Sequence, residues 1–256
     1  MSFANEFDAI RDKFEPYARK KILFAFNKQF EKINTIFAKN ITNIELFNAV
    51  NTLDGKYIHD AFIDIYKTVG GKFALAAIQN NRKSNGENLW ENLIAEYIEA
   101  NGTERIVGIN ETSKKLIQRS IRSSLLDAQA QGLGADETAN LIRESVKDTW
   151  GTMAQYRALR IARTELLTAS NAGSHYAMES LGYGATKEWS SFKDQRTRGM
   201  HPKDKHDHVN MNGQKVDLKG FFIEPLTGEK LMFPGDTIAS AGNVVNCRCA
   251  VKYKIL

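Results

Sequence analysis

Hydrophobic residues in this chain keep a helical period up to Gly182 and lose it afterwards, and this one change limits the fold more than any other feature. Upstream, Leu23, Phe26, Phe30, Ile33 and Phe37 recur at alternating three- and four-residue steps, and similar spacing runs from Ile58 to Tyr66, so both stretches read as amphipathic helices. Pro16 interrupts the first pattern on its upstream side. Gly70-Gly71 and the polar stretch Asn80 to Asn88 read as breaks, Leu89 to Ala100 returns to helical period, and Asn101-Gly102 ends it. Arg105 to Asn110 is short and β-branched. Asn110 or Thr112 then caps a helix with Ile117, Ile121, Leu125 and Ala128 on one face, and Gly132-Leu133-Gly134 stops it. Asp136 caps the next helix, through Leu141, Ile142 and Val146, and a third begins near Met153 and runs towards Ser180.

Beyond Gly182 the signals are those of short strands. Trp189 sits in a strand-like run, Asn212-Gly213 between VNM and QKV is a two-residue hairpin signal, and Thr227-Gly228 separates Phe221-Phe222-Ile223 from Leu231-Met232-Phe233. The closing segment alternates, with Cys247, Cys249, Val251, Tyr253 and Ile255 on one face and Arg248, Ala250, Lys252 and Lys254 on the other. The pattern predicts an α+β protein: a helix-rich N-terminal region over 1–103, then a module over 104–256. In that module a helical segment (104–180) packs on a small antiparallel β-sheet (183–256).

At 256 residues and 42% hydrophobic, the chain can bury a core without covalent staples. No apolar run approaches the roughly 18 to 20 residues that span a bilayer, and the opening MSFANEFDAIRDKF carries acids where a signal peptide needs a basic end, so a cytoplasmic, membrane-free life is expected. Cys247 and Cys249, the only cysteines, stand too close for an ordinary stabilising disulfide. The net charge of +5 lies wholly in the C-terminal part, since Met1 to Trp150 carry 20 basic and 20 acidic residues and Gly151 to Leu256 carry 15 and 10. That excess is far below the dense stripe of a dedicated nucleic-acid binder, though compatible with some contact to DNA.

The residues Ala162-Arg163-Thr164-Glu165, Asn171, Trp189, Asp194-Gln195-Arg196-Thr197-Arg198, Asn212-Gly213-Gln214, Pro234-Gly235-Asp236 and Asn246-Cys247-Arg248-Cys249 follow one another in that order. As an ordered set they resemble the phage Mu F-like family of minor head proteins, and the helices from about Glu104 onward fit that family's usual preamble. The resemblance implies a non-enzymatic protein of head morphogenesis, carried in few copies in the head interior and present in the host cytoplasm during assembly. It implies the portal and inner capsid proteins as partners and no small-molecule substrate, while the basic excess of the C-terminal part makes packaged DNA a possible further contact. Its motif residues are Arg163, Thr164, Glu165, Asn171, Trp189, Asp194, Arg196, Arg198, Gly213, Asp236, Asn246 and Arg248. The family commonly has one His between the arginines and the Gly, whereas GMHPKDKHDH supplies three, which points to an insertion.

On a helix, Thr164 and Asn171 lie almost on one line, with Thr168 between them and His175 beyond. Flanking Ala169 and Ala172 allow close approach, so the line is expected to tie the helix to the strands by hydrogen bonds, for instance Glu165 to Arg196 or Arg248. Buried polar groups must be paired and can thereby specify one packing. In an extended segment Asp194, Arg196 and Arg198 project to one side, and an internal ion-pair network is favoured over phosphate contact because Asp194 offsets the arginines. His201, His208, Cys247 and Cys249 are ligand types suited to zinc. In a regular strand, however, the two cysteines stand about 7 Å apart, whereas thiolates sharing one zinc approach to about 4 Å. Chelation therefore needs the chain to bend at Arg248; otherwise both cysteines are small core residues and no cofactor is expected.

Two rival readings remain, a DNA-binding packaging accessory and a metal-dependent nuclease of the His-Asn-His type suggested by Asp207-His208 and Asn246. Against the second, AVKYKIL after Cys249 alternates as a strand and leaves no room for the helix such a nuclease needs. No phosphate-binding loop, nucleophile elbow or dinucleotide fingerprint is present.

Overall fold

The computed structural model of this chain describes residues 3–37, 48, 50–80 and 89–256. The elements run α1 (Phe3–Asp12), α2 (Glu15–Phe37), α3 (Lys56–Ile65), a π-helical turn (Tyr66–Gly70), α4 (Gly71–Asn80), α5 (Leu89–Gln131) and α6 (Ala135–Ser180). The remainder is β1 (Ala185–Ser190), α7 (His208–Met211), β2 (Lys215–Asp217), β3 (Phe222–Ile223), β4 (Lys230–Leu231), α8 (Ala241–Val244) and β5 (Ala250–Ile255). The fold is α+β, and the change of character at Gly182 is the end of α6, where Gly182 adopts φ +68° and its N–H donates to Glu179 O at 3.1 Å.

The helices are longer than the sequence suggests. Asn101-Gly102 does not end a helix: α5 runs through both, with Asn101 Nδ2 donating to Tyr97 O one turn back at 3.0 Å. The β-branched run Arg105 to Asn110 is helical too, because Ile106 is buried and Asn110 accepts a hydrogen bond from Gln29 Nε2 at 2.8 Å. Propensity differences of a few tenths of a kcal/mol per residue yield to such burial. No boundary falls near Met153 either, since α6 is continuous and Trp150, Met153 and Ala154 are buried along it. Gly70-Gly71 is a π turn passing directly into α4, not a break. Residues 81–88 of the expected polar break lie outside the described residues. Gly132 does stop α5, at φ +64°, with Leu133 N–H donating to Ala128 O at 3.0 Å.

The chain packs as two compact units, one of Lys20–Ala61 with Gly102–Leu159, the other of Met1–Arg19 with Phe62–Asn101 and Arg160–Leu256. In the first, Phe26 and Phe30 pack against Trp150 at centroid distances of 6.0 and 5.3 Å. There Arg157 donates to Ser113 Oγ and Ile109 O at 2.5 and 2.9 Å.

The second unit holds the strands. β1 is the middle of an antiparallel sheet in the order β2-β1-β5, with Lys187 opposite both Val216 and Tyr253 and Trp189 opposite Val251. β3 and β4 form the hairpin expected around Thr227-Gly228, where Gly228 takes φ +72°. The hairpin expected at Asn212-Gly213 does not form, because Val209 to Met211 belong to α7. Gly213, at φ +84°, ends that helix and donates to Trp189 O at 2.8 Å. The closing strand begins at Ala250, so Cys247 and Cys249 precede it outside any strand, just after the turn at Val245-Asn246.

Candidate functional site

The C-terminal end of α6 carries an unusual load of buried polar side chains: Thr164, Glu165, Thr168, Ser170, Asn171, Ser174 and His175 are all buried. Small neighbours at Ala169, Ala172 and Gly173 let other backbone come close enough to bond them. Thr168 Oγ1 lies 2.9 Å from Gly235 O and donates to it. Asn171 Nδ2 donates to Cys249 O at 3.2 Å, and Thr164 Oγ1 accepts from Asn246 N–H at 3.3 Å. The polar line on α6 therefore seizes main-chain groups of the Pro234-Gly235-Asp236 and Asn246-Cys247-Arg248-Cys249 segments. Gly235, at φ +84°, leaves only 3.0 Å between a Cβ added there and Thr168 Oγ1, and Asn246 takes φ +57°, so both turns are shaped to present their backbone to α6.

Other members of the ordered set take internal partners. Asp194 receives Arg248 through both carboxylate oxygens at 2.5 and 2.6 Å, and also accepts from Thr197 Oγ1 and Arg196 N–H at 3.1 and 3.0 Å. These donors, the Arg248 guanidinium first, hold its carboxyl below the usual range. Arg248 also stacks over Phe192 at 4.3 Å. Arg198 donates to Val245 O at 2.5 Å, and Arg163 pairs with Glu15 at 2.7 Å. Asp236, buried, accepts from Met232 and Ile238 N–H at 2.8 and 3.3 Å; burial pushes its pKa up. Trp189, fully buried, meets His208 and Phe222 edge-on at 5.5 and 5.2 Å.

Three expectations need correction. Glu165 does not pair with Arg196 or Arg248; it accepts from Tyr66 O–H at 3.2 Å, while Asp194 takes Arg248. Asp194, Arg196 and Arg198 do not share one side of an extended strand, because Thr197 N–H donates back to Asp194 O at 2.8 Å in a turn that leaves Arg196 exposed. Finally, the histidines separate: exposed His201 bonds Gln195 O at 2.9 Å, whereas His208 is buried at the start of α7. Of the four zinc-type residues, the structure gathers His208, Cys247 and Cys249, whose ligand atoms lie within 4.8 Å of one another. The neighbouring Cys249 thiol draws the Cys247 pKa well down, while burial drives Cys249 well up.

Sequence reasoning missed several members of this unit. Lys187, almost wholly buried in the middle strand, donates to Met232 O at 2.7 Å, and burial lowers its pKa to about 7 against the pull of Asp236 and Glu179. Only its inward place in an alternating strand could have flagged it. Glu224 is buried and accepts from Asp207, Leu226 and Thr227 N–H at 2.6, 3.2 and 2.7 Å, a tight turn that the Thr227-Gly228 signal hinted at without naming the acid.

A long helix whose polar line grips the turns of a small antiparallel sheet defines a helix-and-strand module stabilised by side chain to main-chain bonds. The chain belongs to the family described as Phage Mu protein F like protein, whose model matches residues 119–252. It is also similar to the uncharacterized protein YqbB of Bacillus subtilis (strain 168), 28% identical over 95 residues. That match covers 37% of this chain and 30% of the relative's length. No solved structure matches this chain. Among the described residues no helix is long and apolar enough to cross a membrane.

Proposed function

We propose that this chain is a structural minor component of a tailed-phage head, sited in the head interior with the portal and inner capsid proteins, where it supports head assembly, genome packaging or delivery. Membership of the Mu F-like family supports the head-morphogenesis part of this reading. The observation that carries the non-enzymatic part is where the family-type residues spend their polar groups: Thr164, Asn171, Asp194, Arg198, Asp236 and Arg248 all bond other parts of the same unit. Residues so engaged hold a shape and are poorly placed to bind a reacting group.

The same bonding weighs against DNA as the main partner. Of the four arginines that line one cleft, Arg11, Arg163 and Arg248 pair with Asp8, Glu15 and Asp194 respectively, and Arg196 is exposed. Paired guanidinium groups attract phosphate far less than free ones. For the nuclease reading, β5 occupies the place where a metal-bearing helix would have to follow Cys249.

The test is co-expression of the full chain with the portal and capsid proteins of the same phage. Retention on tagged portal through purification, with no cleavage of DNA in magnesium or manganese, is expected. Salt-dependent DNA binding without portal retention makes the chain a packaging accessory instead, and metal-dependent cleavage abolished by His208→Ala makes it a nuclease.

A further inference from the structure

The gathered His208, Cys247 and Cys249 lie in a stretch with little regular structure. Between β1 and β5 the elements are two four-residue helices and strands of two or three residues. Segments so poor in helix and sheet commonly need a staple. The sequence objection to a metal was that a straight strand holds the two sulfurs too far apart. The chain instead bends before β5: Asn246 is left-handed, Cys247 N–H donates to Val244 O at 3.2 Å, and Cys249 N–H points back at Cys247 Sγ at 3.5 Å.

We infer that His208 Nδ1, Cys247 Sγ and Cys249 Sγ bind one structural zinc ion, which clamps the start of α7 to the turn that feeds the last strand. The distances suit it. Zinc bond lengths and a tetrahedral angle set nitrogen and sulfur ligands about 3.6 Å apart. Here His208 Nδ1 stands 3.4 Å from Cys247 Sγ and 3.6 Å from Cys249 Sγ. Two sulfurs, one imidazole and near-complete burial select zinc over hard, oxygen-seeking cations.

The surroundings orient the ligands as a metal requires. Asn243 gives its Nδ2 to Glu229 at 2.9 Å, which turns its Oδ1 towards His208 Nε2. His208 therefore carries its proton on Nε2 and offers an unprotonated Nδ1 to the sulfurs, the arrangement typical of a ligand histidine. Trp189 is packed edge-on against the same imidazole and fixes the ring plane. Beside the cluster Thr197, Arg198, Asn246 and Arg248 line a cleft with room for about one water, which completes the four-coordinate shell. Three protein ligands and a water are also the ligand set of catalytic zinc sites, but a space for about one water admits no substrate, so the ion here serves structure.

The test uses the full chain expressed in zinc-supplemented medium. Elemental analysis is expected to find one zinc per chain, and exchange with cobalt should produce sulfur-to-cobalt charge-transfer absorption with tetrahedral visible bands. Zinc should be lost in Cys247→Ser/Cys249→Ser and kept in His201→Ala. If the double variant does not fold, the wild-type cobalt spectrum decides alone. Substoichiometric zinc with no thiolate absorption in cobalt overturns the site, as does stoichiometric zinc that survives in the folded double variant.

Discussion

Gly173→Ala should be among the most damaging single methyl additions in the second unit. A Cβ at Gly173 would stand 2.2 Å from Gly70 O, 2.7 Å from Gly70 C and 2.8 Å from Gly70 Cα. All three are backbone atoms of the π turn, so no flexible side chain can step aside. Overpacking against fixed backbone costs up to about 3 kcal/mol and occasionally more. At roughly 2–4 °C per kcal/mol for a chain of this size, the melting temperature should fall by about 6–12 °C. Calorimetry decides: a shift of less than about 2 °C means that α6 and the π turn do not lie this close.

Acid should weaken the same unit through His175. Its ring is buried among Tyr176, Phe233 and Tyr253 at centroid distances of 5.4, 5.5 and 6.2 Å, and its Nδ1 has no hydrogen-bond partner among the described residues. Burial first, and the nearby Lys187 second, lower its pKa to about 3 from the ordinary 6.5. Between those two values the unfolded chain binds a proton that the folded chain refuses, so stability is full above 6.5 and declines as pH falls towards 3. Each unit of pH in that window removes up to about 1.4 kcal/mol. His175→Phe, which keeps a ring and deletes the titration, should flatten this part of the stability profile. Parallel urea midpoints at pH 7 and pH 5 measure it, and an equal acid loss in both proteins would remove His175 from the explanation.

How much of this was legible in sequence depends on the range of the physics involved. The α+β division could be read because periodicity and Gly182 are local signals. The lengths of α5 and α6 could not, because Asn101, Gly102 and Gly151 are helix-weakening residues whose neighbours are rescued by distant burial such as that of Ile106 and Trp150. At the site, the ordered set from Arg163 to Arg248 named segments that the fold brings together, yet the pairing expected of Glu165 was misassigned. A helical line tells which side chains share a face, but not that Thr168 and Asn171 would find carbonyls of Gly235 and Cys249 before any charged partner. Strand periodicity extended β5 back over Cys247 and Cys249, and the left-handed Asn246 that bends the chain leaves no pattern in hydrophobicity.

Amide hydrogen exchange on Asn171→Ala probes most directly whether α6 side chains pin the strands. In the wild type Asn171 Nδ2 reaches Cys249 O, and removal leaves a buried carbonyl without that donor, at a cost of about 1–3 kcal/mol. Faster exchange confined to the amides of 247–251 and their β1 partners is the expected outcome, with the amides of 102–159 unchanged. Wild-type protection at 247–251 in a folded Asn171→Ala protein would contradict the account.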